Sequence, residues 1–565
     1  VDEPAVAMTM LINEQTIFFE WKENTSPTPP SIRAILVKRY NDWLIKKYKD
    51  RAGVEKAWRS DDGKSALQAD EDPAKGNVVC WESYVSILGQ NLKEGPTDSV
   101  DSPLRTRTLV RFLKELQRDH YVDMLAYLKS LGLKVPIAGS NILSDVADLE
   151  TTLVTEWTSQ NRYYEHVRIV DKSYGFPNIP EVYQNPLSGP LVQPGIAATK
   201  INPLPASSTE HDTMWPQEWR STHNLSVYAS AALQDWDAIF WYCFMGGYGL
   251  TFEQAEKMTS IPFPTVEFND PALAGLLPTA ALMYLRRDVA PAKNLVQVIH
   301  ASPMTDAVKS RITSGDFPFN YLTWVSRVEG VFGAQDGRAH FTVGPEEKNT
   351  GKNFMKMNAD TLKRPGPDLA RDLDADLKKN GLVSKDLGLQ EGRITSDTGE
   401  VTRDWKRGLL LIDTPRTKAF SGFPVEPVRM GEVTFTLTSP FATIAVQSLE
   451  NEPVGKAKKI LLTAVARAEN DKDVISYGQT VPNAKGGLRG ERIMVTANTA
   501  RGTNGRVLIE NVDALISISG GDLKVTPIAA DGSALEASFV VHSKDGRTEI
   551  PLGKSATIWY VCERI

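Results

Sequence analysis

Residues 5–14 read AVAMTMLINE, an apolar run from Ala5 to Ile12 that stops at Asn13 and Glu14. Such a run, closed by a polar pair, is the pattern of a strand buried in a parallel sheet. The segments after it supply candidate neighbours. Helical periodicity over residues 31–49 and again near 53–59 gives way to a polar loop at 60–76. Thr106–Leu131 spaces Leu109, Phe112, Leu113, Leu116, Tyr121, Met124, Leu125 and Leu128 along one helical stripe, and Gly132 ends it as a C-cap would. Short strands are expected at Leu133–Ala138 and near Leu153–Trp157, the second leading into NRYYEH at residues 161–166. A proline-rich loop over 175–205 precedes Ser207–Glu210, then a helix over Trp219–Leu233 and a strand over Ala238–Phe244. One more helix is expected over Pro271–Arg287.

Repeated strand–helix–strand units argue for a parallel sheet, with polar residues gathered where the strands end. About five strand positions are legible, against the eight of a closed (β/α)8 barrel. Residues 345–393 are charged, punctuated by Gly and Pro, and read as a long connection. From about Gly408 the pattern becomes short β-type runs between turns: GLLLIDT (408–414), EVTFTLT (432–438), ATIAVQSL (442–449), KILLTAVA (459–466), RIMVTA (492–497), RVLIENV (506–512), ASFVVHS (537–543) and ATIWYVC (556–562). This spacing predicts an antiparallel sandwich. The expected organisation is an α/β TIM-barrel part over residues 1–300, a connecting or insertion region over 301–393, and an all-β sandwich over 394–565.

Composition narrows the function classes. A net charge of −6 on 565 residues, with no basic block, lacks the footprint of a nucleic-acid binder. No apolar run reaches the roughly 18 residues of a membrane span. Cys80, Cys243 and Cys562 stand apart and read as free thiols, with one bridge as the alternative. The seven histidines form no HxxxH spacing, so neither a metal nor another cofactor is expected. Aromatic residues in polar stretches (Trp21, Trp157, Tyr163, Tyr164, Trp215, Trp219 and Trp241) suit stacking on sugars and suit a protein core equally well.

Cleaving a glycosidic bond with retention requires two carboxyl groups roughly 5–5.5 Å apart, one protonated and one ionised. Glu14 and Glu210 each follow a strand-like run and precede a loop, so a barrel would turn both toward one axis. An Asn-Glu pair alone carries little weight. A longer pattern carries more. MTMLINE (8–14), NRYYEH (161–166), SSTEHDTMWPQEWR (207–220), LSVYASAALQDWDAIFWYCFMG (225–246) and ITSDTGEVTRDWKRGLLLIDTPRTKAFSGF (394–423) together resemble the clan A glycoside hydrolases, retaining (β/α)8-barrel enzymes. In that family the fourth strand ends in Asn-Glu and the seventh in a second Glu.

The resemblance implies that Glu14 is the general acid/base and Glu210 the nucleophile, with Asn13 bonding the hydroxyl beside the reacting carbon. It assigns an aromatic hydroxyl on the nucleophile to Tyr164, with Tyr163 second, because strand alternation turns only one of them inward. Trp241 belongs to the sugar platform, and His211, next to the nucleophile, counts among the substrate-binding residues. The family also carries an Arg on its second strand. Because the pattern starts at the fourth strand, the first three are expected from an upstream segment supplied as a separate polypeptide or omitted. The expected partners are therefore a polysaccharide or oligosaccharide substrate and that segment, and the expected location is secreted or periplasmic. A non-catalytic carbohydrate-binding or structural protein on a degenerate barrel is the alternative. A lyase would need a Tyr/His or Lys base beside an Arg, and no such cluster is legible.

Overall fold

A computed structural model describes residues 3–19, 29–78, 102–143, 146–164, 178–183, 194–197, 199–213, 217–244, 251, 253, 256–261, 269–300, 319–333, 337–344, 354–356, 366–472, 475–481, 492–498 and 505–565. Its first half is an array of short parallel strands. β1 (Thr9–Met10) pairs in parallel with β2 (Ile137–Ala138). The Glu156 amide donates to the Ile137 carbonyl at 2.9 Å and the Asn161 amide to the Asn141 carbonyl at 2.7 Å. These bonds carry the order on to β3 (Thr158–Ser159) and β4 (Arg162–Tyr164). β5 (Asn178–Tyr183) leaves the array and pairs antiparallel with Arg492–Asn498. β3 and β4 both pair in parallel with β6 (Ala206–Thr213), and β6 with β7 (Ala238–Trp241). Among the described residues this array is open, with β1 at one end and β7 at the other.

Helices run between these strands: α1 (Pro30–Tyr48), α2 (Arg51–Ala57) and α3 (Pro103–Ser130) before β2, α4 (Val146–Thr151) before β3, and α5 (Thr222–Gln234) before β7. In α3 the Ser102 hydroxyl accepts from the Leu104 amide, Pro103 opens the first turn, and Gly132 closes the end at φ +92°. Its stripe of Leu109, Phe112, Leu113 and Tyr121 is buried.

Four expectations change. The run Ala5–Ile12 is not sealed on both sides. Ala5, Val6 and Ala7 are exposed and Met8–Ile12 half-buried, because β1 is paired along one edge only among the described residues. The segment 152–154 is a 3-10 turn and β3 begins at Thr158, since the hydroxyls of Thr152 and Thr155 bond back to the carbonyls of Leu149 and Thr152 and wind the chain. The expected helix over 271–287 divides at Gly275–Leu276 into Pro271–Ala274 and α6 (Leu277–Tyr284), with Pro278 opening the second piece. Finally, part of the expected connection is a parallel sheet. β8 (Leu295–His300), β9 (Arg327–Phe332), β10 (Phe341–Gly344) and β11 (Phe354–Lys356) lie in the order β11–β10–β8–β9, followed by α7 (Gly366–Lys379).

The C-terminal region is a nine-stranded antiparallel sheet facing a four-stranded one across a shared core. Alternation explains how the large sheet serves two layers. Leu409, Phe420, Ile444 and Val446 face the small sheet, while Leu410, Ile412, Ala419 and Ala445 join the core that contains Leu225, Ala229 and Ala232 of α5. Strands Thr417–Gly422 and Ala442–Ser448 are buried at every position for this reason. A polar seam crosses the same boundary, with Thr222 bonded to Ser421 and Ser221 to Thr443. Arg220 pairs with Asp270 and also donates to the Ala468 carbonyl. Among the described residues no helix is long and apolar enough to cross a membrane.

The Arg220 and Asp270 side chains are each 1% exposed, so removing one strands a buried charge. Asp270→Ala is expected to lower the free energy of unfolding by about 3–5 kcal/mol. Breaking the solvent-exposed Lys257–Glu253 pair should change it by less than about 1 kcal/mol. Urea denaturation midpoints check both.

Candidate active site

Residues just past β1, β2 and β3 meet the middle of β6 in a set of amides, hydroxyls and carboxylates, with Glu210 inside β6 and not at its end as the sequence suggests. Glu14 has a left-handed backbone, φ 50°, which a side chain other than glycine adopts only at a cost. Asn141, just past β2, holds it there: its Oδ1 accepts the Glu14 backbone N–H at 2.7 Å. The Nδ2 of the same side chain donates to Asn13 Oδ1 at 2.8 Å and to Thr209 Oγ1 at 3.0 Å. Asn161, between β3 and β4, donates from Nδ2 to Glu14 Oε1 at 2.8 Å, and Thr209 donates to its Oδ1 at 3.0 Å.

β6 delivers the second carboxylate through an irregularity. Its register against β7 slips between Ser208 and His211, the signature of a bulge, which inserts a residue and re-aims the side chains around it. Thr209 reaches the Asn141–Asn161 network while Glu210 meets Tyr163, whose hydroxyl donates to Glu210 Oε2 at 2.5 Å. The hydroxyl on Glu210 is thus that of Tyr163, where the sequence reading put Tyr164 first. In β4, Tyr163 lies level with Asp212 across the ladder and Tyr164 with Thr213. The side chain of Tyr164 lies outside the described residues, as do Glu165, His166, Trp21, Trp215 and Cys80.

Burial raises the Glu210 carboxyl above its ordinary range. The Tyr163 hydrogen bond opposes this, the Glu14 charge adds to it, and the Asn161 amide opposes it. The Asn161 amide, bonded to Glu14, thus also lies near enough to Glu210 to favour its charged form. Thr209, next to Glu210 in β6, bonds the same Asn161, so the two acids face a common gap. The Tyr163 hydroxyl stays protonated, held so by burial, by its bond to Glu210 and by nearby acidic charge.

His211 does not join this gap. It is fully buried on the opposite side of β6, its Nδ1 3.1 Å from His223 Nε2 and its ring edge-on to Tyr228, both on α5. One step from an inward Glu210, alternation turns it toward the helix layer. Burial alone holds its imidazole down to about 3 and, together with His211, depresses His223. Trp241 is half-buried, with its indole N–H 3.4 Å from Asp212 Oδ1. The ring beside Tyr163 is that of Tyr242, perpendicular at 6.5 Å, and Phe244 lies 6.3 Å from Trp241. Trp157 and Trp219 serve packing instead. Trp157 is buried and bonds the Thr9 carbonyl, and Trp219 packs on Phe423 and Phe441 of the sandwich. Cys243 is half-buried, its thiol pushed up to about 11 by burial and by Asp212 and Glu210.

Sequence reading missed Asn141, Asn161, Thr209 and Tyr242. A signal was present: Asn13, Asn141 and Asn161 each follow a strand at the same rim. Among the described residues no cluster of three His, Cys, Asp or Glu side chains is arranged to hold a metal. No family model, curated protein or solved structure matches this chain.

The buried His211–His223 pair sets a pH dependence. An unfolded histidine takes up a proton near 6.5. The folded chain keeps both imidazoles neutral well below that. Their contribution to stability is therefore intact above pH 6.5 and is lost as pH falls toward the depressed folded values. The urea midpoint of the wild type should drop more steeply between about pH 6 and 4 than that of a His211→Gln/His223→Gln variant.

Proposed function

We propose that this chain is a retaining glycoside hydrolase, of the clan A type, that cleaves β-glycosidic bonds in a polysaccharide or its oligosaccharides. The observation that carries the reading is the linkage of two acids through one polar network. Asn161 bonds Glu14, Thr209 bonds Asn161, and Glu210 follows Thr209 in β6 with its own bond from Tyr163. A retaining pair requires its carboxyls ~5–5.5 Å apart. An inverting pair must hold a water molecule between carboxyls ~6.5–9.5 Å apart.

The environments divide the labour. Glu210 attacks as a carboxylate, and the Tyr163 hydroxyl and Asn161 amide favour that form against burial. As its oxygen bonds to the anomeric carbon, the bond to the leaving oxygen breaks and Glu14 passes that oxygen a proton. Water then attacks the glycosyl-enzyme, gives its proton to Glu14, and Glu210 leaves as a carboxylate. Tyr242 beside Tyr163, and Phe244 beside Trp241, offer aromatic faces of the kind on which sugar C–H groups stack. The exposed Asn13, its carbonyl oxygen occupied by Asn141, is left to donate to a substrate hydroxyl.

A screen of aryl β-glycosides, with linear β-linked oligosaccharides beside it, tests the reading. Wild type should release sugar with the anomeric configuration of the substrate, followed by proton NMR of the first product. Glu210→Ala should lose at least about 10⁴-fold in rate. Turnover that is unaffected by Glu210→Ala removes the assignment, and an inverted first product replaces double with single displacement. Tyr163→Phe removes a bond that favours the Glu210 carboxylate. The acid limb of the kcat/KM–pH profile should therefore move to higher pH, because Glu210 then ionises only at still lower proton activity.

A further inference from the structure

The hydrogen bonds around Glu14 close into a ring with one direction. A backbone N–H can only donate, so the Glu14 amide fixes Asn141 Oδ1 as an acceptor. The other end of that carboxamide is then a donor, and it gives to Thr209 Oγ1. Thr209 has a single proton, and Asn161 Oδ1 accepts it. The Asn161 amide group is consequently turned outward as a donor, onto Glu14 Oε1. No member of this ring can flip without leaving a buried group unsatisfied, since Asn141, Asn161 and Ser159, which also bonds Thr209, are all buried.

We propose that Asn161 is a third catalytic side chain, which stabilises Glu14 as it gives up its proton, and that Thr209 is the positioning residue that keeps the Asn161 amide facing it. The proposal rests on the glycosidase reading and deepens it. Oε1 of Glu14 receives an N–H donor, so the transferable proton sits on Oε2. When that proton moves to the leaving oxygen as the glycosidic bond breaks, negative charge develops on Glu14. A donor is already aimed at it, so no reorganisation is needed at the moment of transfer. The bond from the Glu14 backbone through Asn141 ties the same ring to the left-handed conformation of Glu14, so chain position and amide orientation are set together.

The consequence depends on the leaving group, which a merely structural role does not. A departing 2,4-dinitrophenolate needs no proton, whereas an alkoxide or a plain phenolate does. With the glycoside series found active in the screen, Asn161→Ala and Thr209→Val should lose about 10- to 100-fold more kcat/KM on substrates with poor leaving groups than on the dinitrophenyl substrate, where only the effect of Asn161 on Glu210 is felt. Thr209→Ser retains the hydroxyl and should restore the poor-leaving-group rate. Circular dichroism and urea midpoints show that each variant is folded. Equal losses on both substrates, or no rescue by Thr209→Ser, overturn the proposal and leave the glycosidase reading standing. A wild type that hydrolyses no glycoside overturns both.

Discussion

The site depends on one buried carboxamide. Asn141 takes the Asn161 amide on its backbone carbonyl, the Glu14 amide on its side-chain oxygen, and gives its side-chain protons to Asn13 and Thr209. Residues just past β1 and β3 and from the middle of β6 are thereby referred to a single residue beyond β2. The strands at this rim are short, two residues in β1 and two in β2, and their backbone ladders alone fix little. Side-chain bonds take over that work. A change at position 141 is felt at once by the Glu14 backbone, the Asn13 amide and the Thr209 hydroxyl.

What was legible in the chain was whatever apolar periodicity writes. The α3 stripe, the alternating strands of the sandwich and the Asn-Glu after an apolar run could all be read because burial selects their side chains at fixed intervals. β6 shows the other case. Its sequence ASSTEHDT carries almost no apolar signal, yet six of its eight positions are buried, the Ser207 and Ser208 hydroxyls bonding the Thr158 and Gln160 carbonyls of the neighbouring segment. The bulge in β6 has no signature in single residues, and it breaks the parity on which an inward or outward assignment rests. His211 obeys plain alternation from Glu210, and the Tyr163–Tyr164 choice turned on the parity of β4, which two adjacent tyrosines leave unmarked. The sheet of β8–β11 was missed for a simpler reason: its strands are short and separated by polar segments, and a pattern of period two needs more positions than β10 and β11 provide.

Electrostatics at the site is a balance held by geometry. Burial raises the cost of ionising Glu210, and the Glu14 charge adds to it. The opposing groups, Tyr163 and Asn161, are neutral donors. They favour the carboxylate without adding a permanent positive charge that would bind the substrate and transition state alike. Such an arrangement leaves protonation sensitive to what enters the gap, as the proposed reaction, which passes one proton back and forth, requires.

The nine-stranded sheet has a helix layer on one face and a second sheet on the other. α5, which follows β6, therefore uses the sandwich as its floor. The β-rich half is part of the foundation under Glu210 and not an appendage behind a linker. Trading one half for an unrelated module would take away the face that α5 rests on. The two halves are expected to have diverged in step, substitutions on one side of the seam answered on the other.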